Sequence, residues 1–97
     1  MSEQEIKQLV WTIATEFADR GPGWAQEGAV LRAVRERVIG KNLGVKRDTL
    51  GVQQMILNAW HDLFMDKKLA WGYDLDNSGS PFFHVREQAV HVAPAMS

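Results

Sequence analysis

The sequence predicts an α+β fold, three helices followed by a C-terminal two-stranded β-hairpin, on three observations. Apolar residues recur at helical spacing in three stretches, which "GPG" (21–23) and "KNLGVKR" (41–47) separate. The pattern then changes to alternation in "LAWGYDL" and "PFFHV". Between those two runs "DNSGS" supplies polar turn residues and a glycine.

The first helix is read over "EQEIKQLVWTIATEFADRG", where Ile6, Leu9, Val10, Ile13 and Phe17 form one stripe. Ser2 is placed to cap it, with Glu5 as its partner in a capping box. Trp11 falls off the stripe, as a flank covering the core or as a contact with another chain. The second helix is read over "AQEGAVLRAVRERVIG", with Val30, Leu31, Val34 and Val38 inward and Arg32, Arg35 and Glu36 outward, closing near Gly40.

Asp48 or Thr49 can cap the third helix, in which Val52, Met55, Ile56, Ala59, Trp60, Leu63 and Phe64 keep the helical period. Lys67 and Lys68 suit its C-terminal end, where the helix dipole favours cations. In the hairpin, alternation puts Leu69, Trp71, Tyr73 and Leu75 on one face, joined by Phe83 and Val85. A lone hairpin is marginal in water, so that face is expected to pack on the helices. Trp24, Trp60 and Trp71 are expected in the shared core, each indole N–H finding an acceptor. Residues 1–87 make one domain, and residues 88–97 a tail or an extension of the last strand.

With 97 residues, 45% of them hydrophobic and 24% charged, the chain is long enough for one core and has an ordinary globular composition. Zero cysteines exclude disulfides and thiolate metal sites. The start "MSEQEIKQ" lacks the basic and apolar regions of a secretory signal, and no run approaches a membrane span, so a soluble cytoplasmic protein is expected. Net charge is −1, unevenly spread: residues 31–50 hold six cations against two acids, net +4, and the rest sums to −5.

Chemical motifs are weak. "DLDNSGS" begins like a calcium loop, but Pro81 occupies position 8 and Val85 stands where position 12 needs a bidentate glutamate. His61, His84 and His91 show no metal-ligand spacing, and His61 and Asp62 are adjacent and point apart. No nucleophile elbow or phosphate loop is present; Gly40, Gly44 and Gly51 fit neither. The expectation is a protein that is no enzyme and needs no metal or cofactor.

The order of elements, and above all the segment "LFMDKKLAWGYDLDNSGSPFFHV", resembles the winged helix-turn-helix family, with similarity to small modules of bacterial and phage proteins. The resemblance spans residues 3–87. It implies that the third helix enters the major groove of double-stranded DNA while the second helix and the wing touch the backbone. Carried over by position, Lys46 and Arg47 would neutralise phosphates, Thr49 would donate to one, and Arg32 and Arg35 would flank the backbone. Gln53 and Gln54 would offer amides to adenine, with Asn58 one turn further on. The family also implies a homodimer and a role in transcription regulation, or in targeting a larger assembly to DNA. The competing reading is a docking module without DNA binding, which the overall acidity, the acidic tip at Asp74 and Asp76 and an exposed patch of Trp11, Leu57 and Met65 would serve.

Overall fold

The computed structural model describes residues 2–40 and 49–86. In chain order the elements are α1 (Glu3–Arg20), β1 (Trp24–Gln26), α2 (Glu27–Val38), α3 (Leu50–Met65), β2 (Leu69–Trp71) and β3 (Phe82–Val85). The three strands form one antiparallel sheet in the order β1-β3-β2, so the last strand in sequence lies in the middle.

Local chemistry accounts for the helix ends. The Ser2 hydroxyl accepts from the Glu5 N–H at 3.2 Å, and the Ser2 N–H donates to Glu5 Oε1 at 2.8 Å, which closes the expected capping box. The Ser2 N–H, and then its hydroxyl, hold the Glu5 carboxyl below its ordinary pKa. The third helix, α3, stops at Asp66. The Lys68 N–H donates to Leu63 O at 2.9 Å and the Lys67 N–H to Phe64 O at 3.1 Å, with Lys67 in the left-handed region at φ 63. This is a Schellman turn with lysine where glycine is usual. Lys67 and Lys68 therefore lie past the helix, and Lys68 turns its ammonium over the Trp11 ring, 5.2 Å from the centroid. A salt bridge from Lys7 Nζ to Asp66 Oδ2, 2.7 Å, ties α1 to the end of α3.

The core lies between the three helices and one face of the sheet. Ile6, Val10 and Ile13 from α1, Val30 and Val34 from α2, and Ile56, Trp60 and Leu63 from α3 are buried against Leu69, Phe83 and Val85. Around Trp60, Phe64, Trp71 and Phe83 stand with ring centroids 5.1, 6.2 and 5.0 Å away, all edge-on.

Four sequence expectations are corrected, one of them the place of Trp24, which lies on the outer face of the sheet and outside the core it was expected to share. Trp24–Gln26 is a strand, so Ala25 and Gln26 do not open the second helix, and it makes the hairpin one part of a three-stranded sheet. Three residues are too short to show a period, so alternation could not reveal it. Tyr73 and Leu75 do not share a face with Leu69 and Trp71. β2 ends at Trp71, Gly72 at φ 92 turns the chain over, and Tyr73 stacks on Trp24 across the outer face, centroids 4.0 Å apart. Leu75 is 97% exposed. Finally, the Trp60 indole N–H is buried without an acceptor, because its surroundings are aromatic rings and aliphatic chains.

Candidate nucleic-acid interface

A strip of α3 is open to solvent from its first turn. Leu50, Gln54, Leu57, Asn58, His61 and Met65 are exposed, while Val52, Ile56, Ala59, Trp60 and Leu63 turn toward the core. The two sets follow directly from the helical period: residues four and seven apart stay on one side. Gln54 and Asn58 make no side-chain hydrogen bond with any other described residue, so their amides face outward with full bonding capacity.

The Thr49 side chain does not cap the backbone of α3. Its hydroxyl accepts from Gln53 Nε2 at 2.9 Å, which draws Gln53 along the helix into a half-buried position. Of the two amides expected at base edges, Gln54 is therefore the one presented, and Gln53 is occupied.

Alongside, α2 and α3 border a groove of about 300 Å³. Leu31, Ile56 and Leu57 give it an apolar floor, and Arg32, Arg35 and Gln53 its polar edge. Arg32 is exposed; Arg35 is half-buried, and its Nε is shielded from water with no hydrogen-bond partner. Neither guanidinium has an ion-pair partner among the described residues. The structure thus brings Arg32, Arg35 and Gln53 together, although the first two lie on a different helix from the third. Asn58 sits on the opposite flank of α3, in a hollow with Glu3, Lys7 and Asp62. Lys46 and Arg47 lie outside the described residues.

The remaining charge is distributed unevenly. From Leu50 to Met65 the only formally charged side chain is Asp62. Exposed apolar side chains accompany this: Leu50 is 58%, Leu57 41% and Met65 79% exposed. Trp11 does not join them. It is half-buried against the core, in a hollow with Leu63, Asp66 and Lys68 on the α1 side, whereas Leu57 borders α2.

Residues 72–81 form a tightly held loop between β2 and β3. The Gly72 N–H donates to Phe82 O at 2.6 Å and the Tyr73 N–H to Asn77 O at 2.9 Å. Asp74 Oδ1 accepts from the Asn77 N–H at 2.7 Å and from its side-chain amide at 3.1 Å. The His84 Nδ1–H donates to Gly72 O at 2.7 Å, since a carbonyl can only accept. At the tip stand exposed Asp74, Leu75 and Asp76. The return arm is fixed to the helices, because Pro81 O accepts from the Glu27 N–H at 2.8 Å in the first turn of α2. Sequence reading missed Leu75 as a surface feature; Gly72, an interruption in the alternating run, was the signal that the strand stops there. No protein-family model, curated protein or solved structure matches the chain.

Proposed function

We propose that the chain is a winged-helix domain that binds double-stranded DNA, with α3 as the helix presented to the major groove, α2 beside it on the backbone and residues 72–81 as the wing. The element order and the β1-β3-β2 sheet fit that layout. The observation that carries the reading is the open amino-terminal half of α3. Gln54 projects from it with no side-chain hydrogen bond to another described residue, next in the chain to Gln53, which shares the groove with two arginines that have no ion-pair partner among the described residues. An amide reads adenine, and arginines supply the sequence-independent phosphate attraction. Lys46 and Arg47, which precede α3 in the chain, would add to that attraction.

Fluorescence anisotropy on mixed-sequence duplexes tests this. With three or four phosphates neutralised, affinity should fall about 40- to 150-fold between 50 and 200 mM salt through counterion release. Arg32→Ala with Arg35→Ala, and separately Lys46→Ala with Arg47→Ala, should each weaken binding and flatten the salt dependence. Absence of any binding to duplex at 50 mM salt would remove the proposal.

A second reading has its own observation. The exposed face of α3 has no lysine or arginine and presents Leu50, Leu57 and Met65, which suits docking onto an apolar protein surface. Association of that kind persists or strengthens as salt is raised, the reverse of the behaviour expected on DNA.

A further inference from the structure

We propose that a second copy of this chain inserts Asp74, Leu75 and Asp76 into the groove between α2 and α3. The two surfaces are complementary in chemistry. The tip offers one leucine, 97% exposed, between two carboxylates. The groove offers an apolar floor of Leu31, Ile56 and Leu57 edged by Arg32 and Arg35, neither ion-paired among the described residues. Leu75 on that floor removes apolar surface from water, and the carboxylates meet guanidinium groups that already lack a partner.

The loop cannot satisfy its own groove. Its base is held by the Gly72–Phe82, Tyr73–Asn77 and His84–Gly72 hydrogen bonds, and in this closed form Leu75 stands in solvent. The same rigidity favours docking between copies, since little order has to be created when the tip binds. The bond from Glu27 to Pro81 sets the loop's return arm beside the first turn of α2, where Gly28 lines the groove. The return arm of the loop thus meets the groove at the first turn of α2, and in the proposed assembly two copies exchange tips reciprocally about a twofold axis. That closes the assembly at a dimer. The inference stands apart from DNA binding, although both occupy Arg32 and Arg35.

Sedimentation equilibrium from 10 µM to 1 mM tests it, because a contact this small belongs to the weak class. The wild-type chain should move from monomer toward dimer over that range and stop there. Leu75→Ser should weaken association at least tenfold, the loss of one buried leucine. Asp76→Arg and Arg32→Glu should each weaken it by about two- to fivefold or more, as expected for exposed charges. An equimolar mixture of Asp76→Arg and Arg32→Glu should recover dimer, since every contact in the mixed pair is again between opposite charges. Both altered residues are exposed, so folding is retained, and the unfolding curve of each variant checks this. A chain that is monomeric at 1 mM, a Leu75→Ser variant that associates like wild type, or a mixture that recovers nothing would each overturn the proposal. Duplex titration is scored separately, so either idea can fail alone.

Discussion

Lys67 shows how a single backbone conformation can be separated from the side chain that adopts it. Its φ of 63 is required by the two hydrogen bonds that terminate α3, and a side chain with a Cβ is strained there by about 1 kcal/mol. The side chain is exposed, and no cation–π contact like that of Lys68 holds it. Lys67→Gly should therefore stabilise the domain by up to about 0.5 kcal/mol, the relief of strain exceeding the added freedom of the unfolded chain. Urea unfolding measures it; a lower midpoint for the glycine variant would mean that the lysine stem contributes packing. Arg35 presents the opposite case, a residue whose strained feature is electrostatic. Its position on the polar side of α2 was legible from helical spacing, but its lack of a partner was not, since that depends on what α3 fails to place opposite.

At the scale of elements, the loop at 72–81 is organised by its first residue. A Cβ on Gly72 would lie 2.6 Å from the backbone of Ser78, in addition to the strain of φ 92. Gly72→Ala should cost about 2–3 kcal/mol and should move the Trp24 and Tyr73 signals, because the loop cannot close over β1. A variant with unchanged stability and unchanged aromatic signals would contradict the account. The same loop explains why the sequence was readable in some places and opaque in others. The helices span 12 to 18 residues, enough for several repeats of the apolar period, and all three are where that period puts them. β1 has three residues and no repeat. Leu75 continues an alternating pattern in the sequence although the strand has ended, because alternation does not register a glycine that reverses the chain. The candidate interface was partly visible: charge and helical face single out Arg32, Arg35 and Gln54. The groove that the two arginines share with Gln53, and the diversion of Gln53 to Thr49, follow from how α2 meets α3.

For the molecule as a whole, Trp60 is the point where helices and sheet share one core. Its indole is fully buried among Phe64, Trp71 and Phe83, and its unsatisfied N–H costs about 1–3 kcal/mol that the surrounding packing must exceed. Trp60→Ala should lower stability by about 3–5 kcal/mol, enough to unfold much of a small domain, whereas Trp60→Phe should cost less than half as much because it deletes the orphaned donor together with part of the ring. Comparing the two by chemical denaturation checks the argument, and equal losses would show that a phenyl ring recovers none of the packing at this position. The sheet's strand order reaches beyond stability. β3 is central, yet it is the last described strand to be synthesised, and its partner β1 was made almost sixty residues earlier. A ribosome that has delivered all three helices has still delivered no completed sheet, so the nascent chain must hold its aromatic underside uncovered until residue 85 emerges. Late closure of this kind makes the interval before β3 is delivered, more than the finished fold, the stage at which the chain is vulnerable to aggregation.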